Sequence, residues 1–291
     1  SSDLIKEHGR SLKFKEENKM IINHNMMSMN AQRSLGVNSS GLGKSIEKLS
    51  TGQRVNRAAD DAAGLTISEK MRSQVRGLNQ ASRNSQDGIS AVQTAEGALD
   101  EVHSMLQRMR ELTVQAGNDT NQAKDREAIK AEIDQLYEEI DSISTKTEFN
   151  KQKLLNGDFK AGKKLQVGAN EGQTLTVSIG KMAADAISLG TKADLKVDSS
   201  DEVSKSIVKI DKAIESISTQ RSKLGAVQNR LEHTIKNLDN AAENTQAAES
   251  RIRDTNMAKE MSTFTKNNVL SQAAQAMISH PTSARQTEFI L

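Results

Sequence analysis

The chain has no cysteine, no tryptophan and one proline in 291 residues, and its aromatics are five Phe and one Tyr. Without cysteine there are no disulfides and no thiolate metal ligands. Aromatic side chains bring large buried areas to compact cores, so their scarcity argues against a broad globular core. Neither sign of charge dominates: 40 Lys and Arg stand against 38 Asp and Glu, for a net charge of +2. That excludes the basic excess of a nucleic-acid surface and the imbalance of a disordered polyelectrolyte. No run approaches the roughly 18 apolar residues of a membrane span. No apolar stretch at the N-terminus reads as a conventional signal peptide, so an exported chain of this kind would need a route without one. What is present is Ala, Leu, Ile, Glu, Lys, Gln and Asn, the composition of long helices.

Residues 1–19 are charged and aperiodic and precede Met20. We expect Met20 to be the natural start and residues 1–19 to be a disordered upstream or appended extension. From Ile21 the pattern is helical, with Leu35, Leu42 and Leu49 recurring every seven residues and Ile46 completing the stripe. A second long pattern, Leu65 to Asp119, puts Leu99, Val102, Leu106 and Met109 on one face, and Gly117-Asn118-Asp119 ends it. A third, about Ala123 to Thr145, carries Ile129, Ile133, Leu136, Ile140 and Ile143. The period then changes. Lys164 to Gly180 alternates, with Leu165 and Val167 on one arm, Leu175, Val177 and Ile179 on the other, and Asn170–Gln173 as the turn. This predicts a β-hairpin near 164–180. Met182 to Asp201 reads as a short mixed link.

The longest pattern follows. Ile207, Ile210, Ile214, Ile217, Arg221, Leu224, Gln228, Leu231, Ile235, Leu238, Ala242, Thr245, Glu249 and Ile252 are spaced by threes and fours, a coiled-coil seam. Its second half is partly polar, which points to contact with several helices or other subunits. A last amphipathic stretch, Met257 to Ile278, is expected to end near Pro281. The fold class is therefore mainly α: a long antiparallel helical rod or coiled-coil bundle, a small β-hairpin at mid-chain, and paired terminal helices.

The segment Ser50–Arg72 sets Arg54, Arg57, Asp60 and Asp61 within eight residues. A general acid/base pair needs a perturbing pocket, and the neighbours here are Ala58, Ala59, Ala62, Ala63 and Gly64. Small residues at that density suit close packing. We read the charges as ion pairs or helix caps at a joint between two parts of the fold. The five histidines (His8, His24, His103, His233, His280) show no metal-ligand spacing. Phosphate-loop, dinucleotide and nucleophile-elbow motifs are missing. We expect no catalytic residue, no cofactor and no metal.

Several long motifs now stand in a fixed order. "IEKLSTGQRVNRAADDAAGLTISEKMRSQVRGLNQ", "LQRMRELTVQAGN" and "TEFNKQKLLNG" come first; "LGAVQNRLEHTIKNL", "AAESRIRDTNMAKEM" and "NNVLSQAAQAM" come last. Together they make the chain resemble a bacterial flagellin, from about Met20 to Met277, in a short form without outer variable domains. The resemblance implies an inner-core domain of terminal helices, 20–56 with 255–291, and a helical rod domain, 57–254. It implies a secreted, extracellular subunit that polymerises with itself into the flagellar filament. It also implies unfolded export by the flagellar type III apparatus, with an export chaperone and cap and hook-junction proteins as partners. A vertebrate flagellin-sensing Toll-like receptor would be a host partner, with contact positions Arg108, Leu112 and Glu132. After Met277, "ISHPTSARQTEFIL" departs from the family's usual ending. The rival readings are a hook-filament junction protein of related design and a cytoplasmic signalling coiled-coil rod.

Overall fold

A computed structural model describes residues 26–287, and the expected extension at 1–19 lies outside them. The order is α1 (Met26–Thr51), α2 (Ala62–Ala116), α3 (Ala123–Lys146), β1 (Glu148–Phe149), β2 (Gln152–Lys153), β3 (Lys163–Gln166), β4 (Thr174–Val177), a single 3-10 turn at Lys192–Asp194, α4 (Ser200–Arg253) and α5 (Met257–Thr287). The chain is mainly α. It forms two compact units: the described residues up to Leu65 with those from Arg253 onward, and Thr66–Ile252.

In the larger unit, α2 and α4 are the long members, each about 80 Å at 1.5 Å per residue. On α2 the buried positions run Val92, Ala95, Leu99, Val102, Leu106, Met109, a repeat of three and four. The two helices run antiparallel with one offset throughout. Arg72 binds Glu249, Ser82 Oγ donates to Asp239, Asp100 pairs with Arg221 and Arg110 with Asp211. Each step forward along α2 between these pairs is matched by an equal step back along α4. α3 lies on the same core through Ile129, Ile133 and Ile140. Its first turn is closed by a capping box in which Gln122 and Asp125 satisfy each other's backbone N–H groups.

The α4 seam differs from the expected one. Ile210, Ile217, Leu224, Leu231 and Leu238 are buried, but Ile207, Ile214 and Ile235 are only half-buried. The positions that alternate with them inside are Val203, Ser206, Ala213 and Gln220. The apolar stripe is therefore wider than a two-helix seam. Small or hydrogen-bonded residues at its centre let neighbours approach, and the isoleucines flank it. Ser206 Oγ donates to Lys196 O and Gln220 Nε2 to Ser178 O, so both buried polar groups are paired.

β3 and β4 form the expected hairpin, antiparallel with Leu165 opposite Leu175 and Lys163 opposite Val177. It seats on α2 at glycines: a Cβ on Gly88 would stand 2.5 Å from Leu165 Cδ1, and one on Gly77 2.9 Å from Ala169 Cβ. A second hairpin, β1–β2, was not expected. Its two-residue turn places Asn150 and Lys151 at φ 49 and 61. That is the left-handed geometry of a type I′ turn, which the sequence signals more clearly when the second residue is Gly.

Two further expectations are corrected. The segment after β4 is core, not a mixed link: Met182, Ala184, Ile187, Leu189, Leu195 and Val197 are all buried. It is pinned by Tyr137 Oη donating to Gly190 O, by Ala184 N to Asp141 Oδ1 and by Met182 N to Leu155 O. The main core of this unit is filled by aliphatics, with Phe159 and Tyr137 in support, and a smaller cluster of Leu78, Ala81, Leu238 and Ala242 lies apart from it. At the other end, α5 runs through Pro281 to Thr287. Proline removes one N–H from the ladder, and the helix resumes past it.

In the smaller unit α1 packs against α5, so the terminal helices are paired. Among the described side chains of these two helices, Ser45 alone is buried.

Candidate functional site

Thr51 ends α1, and Gly52, at φ 71, takes the left-handed conformation that closes a helix; its N–H donates to Lys48 O. Thr51 Oγ1 then accepts from Gln53 N and Asn56 Nδ2. The two aspartates divide the rest. Asp60 Oδ2 accepts the backbone N–H groups of Arg57 at 3.0 Å and Asn56 at 3.2 Å. The Arg57 bond, then Asn56 and the charges of Lys44 and Lys48, hold its carboxyl below the ordinary 3.8. Asp61 Oδ1 accepts Gly64 N at 2.8 Å and caps α2. A Cβ at Gly64 would lie 2.3 Å from Asp61 Oδ2, so the small residue is what the cap leaves room for.

The arginines do not both meet the aspartates. Arg54 Nη2 approaches Asp61 Oδ2 at 4.0 Å, whereas Arg57 Nε donates to Glu47 Oε1 at 3.1 Å. Arg57 reaches Asp60 through its backbone N–H only. Carboxylates whose lone pairs are committed to backbone donors are structural groups. No cluster of three acidic, His or Cys side chains able to hold a metal occurs among the described residues.

Sequence reasoning missed the other half of this joint. Arg54 N donates to Arg253 O, Thr255 N to Gly52 O, and Arg253 Nε to Gln53 Oε1, with Gln53 and Asp254 forming an antiparallel bridge. Val55 is buried beside it. The turn after α1 is thus stitched to the turn before α5. No periodic signal marks residues so far apart; the available hint was that two helix breaks carry polar residues able to bridge.

The second candidate surface is built on α2 and α3. Arg108 Nε and Nη2 both donate to Glu132 Oε1, at 3.1 and 2.9 Å, and Nη1 donates to Glu111 at 3.4 Å. The Glu132 bond raises the guanidinium pKa further. Both side chains are about half exposed. Leu112 is not on that surface: it is 2% exposed and lies in the core beneath. Among the described residues no helix is long and apolar enough to cross a membrane.

The family model for the bacterial flagellin N-terminal helical region matches residues 22–160, and that for the C-terminal helical region matches 207–287. The second match runs past Met277 to residue 287. A flagellin of Halalkalibacterium halodurans is 58% identical over 89% of this chain and 94% of its own length. A flagellin of Bacillus subtilis is 53% identical over 89% and 95%. Among solved structures, a chain from Vibrio parahaemolyticus described as flagellar hook-associated is similar in fold, with a TM-score of 0.59 at 15% identity, covering 67% of this chain and all of that one.

Proposed function

The chain belongs to the bacterial flagellin family, and from that premise we propose how a filament subunit of this family is served by the geometry described above. The protein is a structural, non-enzymatic component of the extracellular flagellar filament, in which flagellin copies polymerise with one another.

The observation that carries the reading is the surface of the terminal helix pair. α1 exposes Met26, Met29, Val37 and Ile46, and α5 exposes Met257, Met261, Val269, Leu270 and Met277. These are nine of the twelve large exposed apolar side chains among the described residues. Apolar side chains left exposed on both helices are surface that contact with other copies would cover. Copies that meet head to tail in a contact that does not close give a helical polymer. In our reading the terminal pair is the part through which copies meet in the filament core, and Arg54, Arg57, Asp60 and Asp61 order the turn that follows α1.

Unfolded export by the flagellar type III apparatus, with chaperone, cap and hook-junction partners, belongs to the same proposal, as does recognition by a flagellin-sensing Toll-like receptor. For the receptor, Arg108 and Glu132 supply the polar contact, and Leu112 supports it from below.

The test is assembly. Val37→Glu with Val269→Glu replaces two exposed side chains, so the monomer should keep its far-UV spectrum and melting point. We expect negative-stain microscopy to show no filaments under conditions where the unaltered chain polymerises. Filaments at normal yield would overturn the reading.

A further inference from the structure

Asn156-Gly157 is the sole Asn-Gly pair in the chain. It lies in the turn segment between β2 and β3, directly after the buried Leu154 and Leu155. Three observations meet there. Gly157 has no side chain to shield its nitrogen and sits at φ 104, a conformation open mainly to glycine. Its N–H has no hydrogen-bond partner among the described residues, while Leu154 N donates to Thr147 O and Asp158 N donates to Asn156 Oδ1 at 2.9 Å. The Asn156 side chain is curled forward along the chain, its Nδ2 donating to Asp158 Oδ2 at 2.7 Å.

We propose that Asn156 is a site of spontaneous covalent modification, with its own backbone as nucleophile and water as the co-reactant. The Gly157 nitrogen attacks Cγ of Asn156. A C–N bond closes a succinimide ring, the Cγ–Nδ2 bond breaks, and ammonia leaves with the proton lost from the Gly157 nitrogen. Water then opens the ring. Attack on the side-chain carbonyl carbon gives aspartate; attack on the main-chain carbonyl carbon gives isoaspartate. No electron changes hands.

The product matters because of what surrounds it. The amide that donated to Asp158 becomes a carboxylate facing a carboxylate, and like charges at that distance repel. Isoaspartate also adds a methylene to the main chain next to Leu155, whose carbonyl accepts from Met182 N at 2.9 Å and Ser144 Oγ at 3.3 Å. The modification therefore loosens the anchor of the segment that follows β4.

The full chain, incubated in mildly alkaline buffer, is followed by peptide mapping and by isoaspartyl methyltransferase labelling. Asn170, exposed and followed by Glu171, is the internal comparison. A side chain on the residue supplying the nitrogen crowds ring closure by about the cost of an off-rotamer torsion, or about tenfold in rate. We expect Asn156 to react about tenfold faster than Asn170, Gly157→Ala to remove that difference, and Asn156→Gln to lose the label on the peptide that carries residue 156. Asp87-Gly88, inside α2, should stay unlabelled because the helix holds its backbone. Equal rates at Asn156 and Asn170 in the unaltered chain, or a label that persists on the peptide carrying residue 156 in Asn156→Gln, would overturn the proposal. The first comparison needs no variant and stands even if Gly157→Ala fails to fold at its positive φ.

Discussion

Two adjacent aspartates do two different jobs, and charge alone does not distinguish them. Asp61 caps α2 through Gly64 N, while Asp60 ties the preceding turn through Arg57 N and Asn56 N. Asp61→Ala leaves that helix donor without its acceptor and should lower stability by about 1 kcal/mol in thermal or urea unfolding. No change in midpoint would show that the cap is dispensable. Asp60 adds a pH dependence. Its folded pKa is depressed, so its contribution is present above the ordinary value of 3.8 and is lost as pH falls through the lower folded value. Asp60→Asn should flatten that acid limb. The sequence displayed the charges and their small neighbours, and so a capped turn in place of an acid/base pair. It did not display which arginine pairs with which acid, because Glu47 sits on the preceding helix and competes for Arg57.

At the scale of elements, periodicity identified every long helix, because a repeat of three and four is written into α2, α3 and α4. It placed the α4 seam a position too narrow. Apolarity drew attention to Ile207 and Ile214, whereas burial favours Ser206 and Ala213, whose small size lets other helices approach. The segment after β4 was opaque for a related reason. Its burial follows contacts with α3 and α4, such as the Tyr137–Gly190 hydrogen bond, and has no period of its own. Two glycines of α2 separate packing from propensity. Gly88→Ala would press on Leu165 Cδ1 at 2.5 Å, while Gly97→Ala meets nothing within 4 Å. We expect the first to destabilise by about 1–3 kcal/mol and the second to stabilise by about 0.5–1 kcal/mol. Monomer unfolding curves measure both, and a neutral Gly88→Ala would mean the hairpin is not seated as described.

At the scale of the whole molecule, the two units invest their apolar residues differently. Among the described residues the larger keeps most of them inside and the smaller leaves many on its surface, where further copies can cover them. In the proposed reading, receptor recognition and assembly use different residues. Arg108→Ala with Glu132→Ala removes a half-exposed ion pair, which is worth little to folding. We expect it to weaken the response of Toll-like-receptor reporter cells while filaments still form; an undiminished response would remove these residues from the contact.

The single offset between α2 and α4 has a consequence for how such a chain can change its length. One residue inserted between Ser82 and Asp100 would turn everything beyond it by about 100° and advance it by about 1.5 Å. The Asp100–Arg221 and Arg110–Asp211 contacts would be lost, while those of Arg72 and Ser82 would survive. A matching insertion in α4, between Arg221 and Asp239, would restore them. The two helices therefore share one tally of residues: within the paired length neither can lengthen alone, whereas the stretch between them is free of that constraint.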